Sequence, residues 1–201
     1  AKYSKPYIAF MQGFTMGGGV GISCHGSHRI VCESSKIAMP ECSIGLIPDV
    51  GGSFLLSQVP GNLGYYLGLT GTQMNAADAI FAGFADYYIP KDEWFNVIEF
   101  LEQSGDFSII KNYSINPGKS HLSENRKFFD NAFKFKKLSK IVNFLSNSEN
   151  QLAQLALQKI EKNCPLAMTY TIEMLSRLSP KSTIEDAYGG YKWGISCFVL
   201  Q

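Results

Sequence analysis

The sequence has little charge, and neither sign dominates. Charged side chains make up 17% of the 201 residues, and 18 basic residues face 17 acidic ones for a net charge of +1. This balance gives no broad basic surface, so nucleic acid and anionic membranes are not expected as partners. No apolar run approaches the ~20 residues that cross a bilayer. With 45% apolar residues, the composition instead predicts a globular chain with a large core.

The five cysteines and three histidines form no recognisable ligand framework. The cysteine count is odd and no Cys-x-x-Cys occurs, which argues against a disulfide scaffold or a zinc ribbon. We therefore expect reduced, mostly buried thiols and no metal. The segment Cys24-His25-Gly26-Ser27-His28 lacks further ligands that could be placed beside it. His25, near a predicted helix end, could instead hydrogen-bond a substrate.

Glycine is concentrated in the first ninety residues, and Lys, Asn, Leu and Phe are richer beyond them. The shift near Pro90 predicts α/β structure before it and a run of helices after it. We place the boundary between an α/β part, residues 1–104, and a helical C-terminal region, residues 105–201. We expect strands at Tyr7–Met11, Arg29–Glu33 and Lys36–Met39. We expect helices at Val20–His25, Gly51–Val59, Asn62–Leu69, Asn75–Ala82, Lys91–Gln103, Ser123–Phe133, Leu138–Leu145, Gln151–Lys162, Leu166–Leu178 and Ile184–Leu200, with an irregular connection from Gly105 to His121.

Three consecutive glycines, Gly17-Gly18-Gly19, lie between a predicted strand and a predicted helix. Such a junction presents unpaired backbone N–H groups, and glycine lets a ligand approach them closely. A thioester oxyanion or a phosphate could bind there. The dinucleotide fingerprint does not fit, because Ile22 stands where its last glycine would be. A tight turn that only lets the helix pack on the strand explains the glycines equally well.

Two carboxylates, Glu41 and Asp49, lie eight residues apart in an otherwise uncharged stretch rich in Gly and Pro. Carboxyl groups in apolar surroundings tend to have raised pKa values, which suits general acid or base chemistry. Alternatively, either residue could cap a helix, as Asp49 could for the helix predicted to follow it. If both are functional, we expect them to face one pocket beside the helix that starts near Gly18.

The ordered run of these motifs resembles the crotonase (enoyl-CoA hydratase/isomerase) superfamily, and within it the 3-hydroxyisobutyryl-CoA hydrolase branch. The residues that carry the resemblance are Lys5-Pro6-Tyr7-Ile8-Ala9, Gly13 to Gly21, His25-Gly26, Met39-Pro40-Glu41, Gly45 to Gly52, Gly61 to Gly71, and Ala77-Asp78 with Ala82-Gly83. The resemblance implies an α/β fold that is part of a crotonase-type ββα spiral, followed by C-terminal helices.

The resemblance also implies roles for individual residues. Gly18 would supply one oxyanion-hole N–H, and Gly17, Gly19 and His25 would join it in the oxyanion and substrate-binding site. Glu41 would be the catalytic carboxylate and Asp49 its partner. Hydratases carry a second glutamate at the place of Gly21, so its absence here argues against water addition to an enoyl-CoA. The implied reaction is hydrolysis of a short β-hydroxyacyl-CoA thioester, as in valine degradation.

Coenzyme A would then be part of the substrate, and no separate cofactor is expected. Whole family members begin upstream of Lys5 and extend beyond Gln201, so we expect a fragment or a truncated protein. Its partner would be its own N-terminal part or further copies of the chain, with a trimer as one arrangement. Location would be cytoplasmic, or mitochondrial in a eukaryote. Enoyl-CoA isomerisation and a non-catalytic subunit remain open alternatives.

Overall fold

The computed structural model describes residues 3–189 and begins with short strands separated by tight turns. The strands are β1 (Ile8–Met11), β2 (Phe14–Met16), β3 (His28–Val31), β4 (Lys36–Ala38) and β5 (Tyr87–Tyr88), and helix α1 (Gly18–Ser23) follows β2. A 3₁₀ turn, Glu41–Ile44, follows β4.

Every strand pair is parallel and skips one strand of the sequence. β3 lies between β1 and β5 in one sheet, and β2 pairs with β4 in a second. Ile8 is opposite His28, and Phe14 is opposite Lys36. The chain therefore alternates between two sheets as it advances, which is the winding of a ββα spiral.

Helices make up most of the remaining chain. They are α2 (Gly52–Gln58), α3 (Leu63–Thr70), α4 (Ala76–Phe81), α5 (Trp94–Ser104), α6 (Ile109–Tyr113), α7 (His121–Glu124), α8 (Arg126–Ala132), α9 (Leu138–Ser146), α10 (Gln151–Lys162) and α11 (Pro165–Ser176). Residues 184–189 are also helical. Among residues 3–189, no helix is long and apolar enough to cross a bilayer.

Helix α3 is the centre of the main core, and all eight of its residues are buried. It packs against α2, α8, α10 and α11, and also against the 3₁₀ turn Glu41–Ile44. A second, smaller core lies between β3 and α5, around Ile30, Ile89 and Trp94. The turn that carries Glu41 thus rests directly on this fully buried helix.

The predicted elements were correct in the main, with several differences. Strands β2 and β5 were not predicted, because three and two residues are too short for a periodicity. Helix α1 begins at Gly18 and not at Val20, so the glycines belong to it. The helix expected at Ser123–Phe133 is two helices that meet at Asn125, and the supposedly irregular connection contains α6.

The structure tests two further predictions only in part or not at all. The helix expected at Ile184–Leu200 is present over residues 184–189, and its remainder lies outside the described residues. The boundary between residues 104 and 105 stays a prediction. The main core draws residues from both sides of it, from Met11 to Leu175.

Candidate active site

The 3₁₀ turn that carries Glu41 is held from several sides. Gly45 ends it in the left-handed conformation (φ +80°), and the Leu46 N–H donates to the Glu41 carbonyl at 3.0 Å. The N–H of Cys164, the residue just before α11, donates to the Cys42 carbonyl at 2.9 Å. Burial of Cys42 against α3 and α11 fixes the backbone, so the side chain of Glu41 projects from a rigid support.

Glu41 is a buried carboxyl group with little to stabilise its charge. The residue is 5% exposed, and its Oε2 atom has no hydrogen-bond partner among the described residues. Burial raises the pKa of Glu41 to about 7, and the charge of Asp49 acts in the same direction. A carboxyl group with a pKa near neutrality can exchange protons readily at physiological pH.

Gly17 lies directly against this carboxyl group. Its φ is +50°, and a Cβ built on it would be 3.1 Å from Glu41 Oε1. The position therefore requires glycine both for its backbone conformation and for the space that Glu41 occupies. The Gly17 N–H donates to the Ala38 carbonyl at 3.4 Å, which ties the glycine segment to the end of β4.

Gly18 and Gly19 differ in what surrounds them. A Cβ at Gly18 would meet nothing within 4 Å, and one at Gly19 would lie 3.6 Å from the Thr15 methyl group. As the first residue of α1, Gly18 has no acceptor for its N–H in residues 3–189. Gly18 therefore offers a free donor next to the glycine that contacts Glu41, whereas Gly19 packs on β2.

Asp49 lies in a loop that lines a cavity of about 460 Å³. The cavity is lined by Gly21, His25, Asp49, Val50, Gly51, Ser53, Ile184, Ala187 and Tyr188. Glu41 is not among these lining residues, although the charge of Asp49 reaches it. The structure thus brings Asp49 and His25 to one cavity, and it places Glu41 against Gly17.

His25 is half-buried, and its Nε2 atom lies 3.0 Å from the Val50 carbonyl oxygen. Burial lowers the pKa of His25, which favours the neutral ring. Because a carbonyl can only accept, Nε2 carries the proton and donates it to Val50. The sequence suggested a contact with substrate for His25, and the structure adds a bond within the protein.

Val50 has a strained backbone. Its φ is +46°, the only positive φ of a non-glycine residue in the described part of the chain. A β-branched residue in this region costs about 1–3 kcal/mol, and such strain clusters at functional sites. A Cβ at Gly21 would lie 2.5 Å from the Val50 Cβ, so the valine occupies the space above Gly21.

Val50 and its packing on Gly21 were missed by the sequence reasoning. The following Gly51-Gly52 signalled an unusual turn, but no sequence pattern shows that a valine takes the left-handed conformation. Residues 3–189 contain no cluster of three or more His, Cys, Asp or Glu side chains placed to hold a metal ion.

Comparison with known proteins finds relatives that match nearly the whole length of this chain. A chain of Neurospora crassa named small ribosomal subunit protein mS47 is 34% identical over 222 residues, covering 98% of this chain and 41% of that protein. The mitochondrial 3-hydroxyisobutyryl-CoA hydrolase of Homo sapiens is 33% identical over 204 residues, covering 96% and 53%. This chain therefore spans about half the length of these relatives.

A solved structure of an enoyl-CoA hydratase from Rhodobacter sphaeroides superposes with a TM-score of 0.90 at 43% identity, covering 96% of this chain and 56% of that one. The fold is therefore the crotonase fold, as the resemblance implied. The family model for enoyl-CoA hydratase/isomerase matches residues 1–192. The chain belongs to the enoyl-CoA hydratase/isomerase family.

Proposed function

We propose that the protein is a hydrolase of short β-hydroxyacyl-CoA thioesters, with 3-hydroxyisobutyryl-CoA as the first candidate substrate. The observation that carries the proposal is Glu41, a buried carboxyl group with an unpartnered oxygen and a pKa of about 7. The human relative, a 3-hydroxyisobutyryl-CoA hydrolase by name, supports the choice of acyl group. By the same likeness, a mitochondrial location and a place in valine degradation are proposed.

The reaction needs a donor for the thioester oxygen and a nucleophile for its carbon. The free Gly18 N–H would donate to the carbonyl oxygen as negative charge develops on it. Glu41, deprotonated, would attack the carbonyl carbon, and the C–S bond would break to release coenzyme A as a thiolate that takes up a proton. Water would then hydrolyse the acyl-glutamate anhydride, giving the free acid and restoring the carboxylate.

A second route uses the same groups without a covalent intermediate. Glu41 would accept a proton from water while the hydroxide attacks the thioester carbonyl, and the departing thiolate would take that proton. In either route Asp49 would hold the substrate hydroxyl or assist proton transfer. Coenzyme A enters as part of the substrate, so the chemistry calls for no separate cofactor.

The test measures the turnover of several acyl-CoA substrates by the full-length native protein. We expect 3-hydroxyisobutyryl-CoA to be hydrolysed much faster than a 3-enoyl-CoA is isomerised or a 2-enoyl-CoA is hydrated. Label found in Glu41 after a single turnover in heavy-oxygen water would establish the covalent route, because general-base hydrolysis puts the label only in the product acid. No hydrolysis of any β-hydroxyacyl-CoA would contradict the proposal.

A second candidate is enoyl-CoA isomerisation or hydration, favoured by the 43% identity to the enoyl-CoA hydratase of Rhodobacter sphaeroides. A single glutamate at position 41 suffices for moving one proton. Hydration is less well supported, because Gly21 brings no second carboxylate and Val50 occupies the space above it. The same substrate panel decides between the two enzymes.

A third candidate is a non-catalytic role in an assembly, favoured by the 34% identity to a protein named as a small ribosomal subunit component. This role predicts that the protein co-sediments with small ribosomal subunits, which the enzyme proposals do not predict. Co-sedimentation together with no turnover of any acyl-CoA would favour this role over the enzyme.

A further inference from the structure

We propose that His25 and Val50 form a latch between α1 and the Asp49 loop, and that His25 is a positioning residue for Asp49. The proposal rests on the proposed function for the catalytic part of its test only. The latch consists of two contacts, one from the Val50 carbonyl to His25 and one from the Val50 side chain to Gly21.

The first contact holds the backbone of the loop. His25 Nε2 donates to the Val50 carbonyl oxygen at 3.0 Å, and this carbonyl belongs to the residue directly after Asp49. The His25 ring also neighbours Phe54 of α2, with ring centroids 6.4 Å apart and the planes tilted by 34°. The imidazole therefore lies near α2 while it holds the turn that joins Asp49 to α2.

The second contact holds the side chain of Val50 in place. The valine is packed so closely on Gly21 that no other residue fits at position 21 without movement. Its left-handed φ of +46° would relax in a free loop, so the two contacts together maintain a conformation that the residue alone disfavours.

One contact starts from α1, and the other starts just after its end. Gly21 lies within α1, His25 stands two residues after its end, and the free N–H of Gly18 is at its beginning. Asp49 is thereby held in place relative to α1, the helix that also carries the proposed oxyanion donor. Loss of either contact would let Asp49 shift relative to the thioester, and a misplaced catalytic group lowers the reaction rate.

The expected result is measured with two variants at one position. His25→Leu keeps a side chain of similar bulk but loses the donor, and we expect kcat to fall about 10-fold or more with KM changed less than about 2-fold. His25→Gln can still donate from its amide nitrogen and should recover most of that loss. His121→Leu, a matched change at an exposed histidine of α7, serves as the control.

A double-mutant cycle separates positioning from direct action. If His25 acts through Asp49, His25→Leu costs almost nothing in an Asp49→Asn background. An equal loss in both backgrounds would overturn the positioning role, because His25 would then act independently of Asp49.

Two further readouts do not depend on activity, so they stand even if the proposed function fails. The Gly52 N–H donates to the Asp49 carbonyl at 2.6 Å, and its hydrogen exchange should speed up in His25→Leu but not in His25→Gln. In the unsubstituted protein, nitrogen NMR should show the Nε2–H tautomer of His25. An Nδ1–H tautomer, or unchanged exchange at Gly52, would overturn the latch.

Discussion

Glu41 has two roles that conflict, because the burial that tunes its acidity also disfavours its charge. In the folded protein its pKa is about 7, against 4.5 for a free glutamate side chain. Folding therefore favours the protonated form between these values. The contribution of Glu41 to the free energy of unfolding is therefore highest below about pH 4.5. It falls as the pH rises from there to about 7, and it is constant at higher pH.

We expect Glu41→Gln to remove this pH dependence. The amide cannot ionise, so the variant should be more stable than the parent protein at pH 8, by about 1–3 kcal/mol, with little difference at pH 4.5. Urea unfolding at several pH values between 4.5 and 8 measures it. A parent protein that gains stability over this interval relative to the variant would contradict the assignment.

The same substitution should abolish turnover. We expect Glu41→Gln to lower kcat at least about 10²-fold with little change in KM, because the carboxylate is needed for the chemical step and not for holding coenzyme A. In the parent protein kcat should rise with pH through about 7, as Glu41 loses its proton. Turnover by the variant at the parent rate would dismiss the role.

Gly21 should tolerate no side chain. Gly21→Ala would place a Cβ 2.5 Å from the Val50 Cβ, and both atoms are fixed directly to backbone. We expect a loss of about 1–3 kcal/mol in unfolding free energy, the usual cost of overpacking. Gly18→Ala is the control for stability, since a Cβ there meets nothing within 4 Å. Equal stability of the two variants would show that Val50 moves freely.

The importance of Glu41 could be anticipated from the sequence, and that of Val50 could not. A carboxylate in an apolar Gly/Pro-rich stretch can be recognised in the sequence alone, and the apolar neighbours predict that it is buried. The conformation of Val50 depends instead on His25 and Gly21, which lie 25 and 29 residues away. Residue propensities actually argue against a left-handed valine, so only tertiary contacts reveal it.

At the scale of elements, Asp78 joins two helices that are distant in sequence. This buried residue of α4 accepts a hydrogen bond from the Ser120 hydroxyl at 2.7 Å and from the Leu122 N–H of α7 at 3.0 Å. The Ser120 hydroxyl in turn accepts from the Ser123 N–H, which caps α7. The carboxylate thus holds the start of α7 against α4.

We expect Asp78→Ala to destabilise the protein by about 2–4 kcal/mol, because it leaves two buried donors without an acceptor. Asp92→Ala, at an exposed aspartate, should stay within about 0.5 kcal/mol of the parent protein. Chemical denaturation of the three proteins checks this. A loss in Asp78→Ala no larger than that of the control would mean that water replaces the missing carboxylate.

The sequence was informative about elements with a clear period or cap. Helices α9 and α10 were predicted almost at their observed ends, and Asn75 caps α4 as expected by accepting from the Asp78 N–H. Strands β2 and β5 are defined by their partners and not by their own residues. No local pattern distinguishes Phe14–Met16 or Tyr87–Tyr88 from a loop.

At the scale of the whole molecule, the described part of the chain leaves apolar groups and strand edges open. Phe14, Ile22 and Ile44 are 69%, 69% and 72% exposed, and no described strand pairs with the outer edges of β1 and β2. Open edges and apolar side chains favour association with another chain.

We therefore expect residues 1–201, produced alone, to self-associate and to lack activity. Sedimentation velocity should show species larger than the monomer. Ile22→Asp and Ile44→Asp together should reduce them, whereas Leu155→Asp, at an exposed leucine of α10, should not. A monodisperse monomer that hydrolyses 3-hydroxyisobutyryl-CoA would contradict this expectation.

The spiral winding also has a kinetic consequence. Because each strand pairs in parallel with one further along the chain, the partners in β1–β3 and β2–β4 are 20 and 22 residues apart, and those in β3–β5 are 57 apart. The entropy of closing these loops is lost before any strand hydrogen bond forms, whereas the neighbouring helices α9 and α10 need only a short turn to meet. During folding, the helices should therefore gain protection from hydrogen exchange first, and the β3–β5 pairing should gain it last.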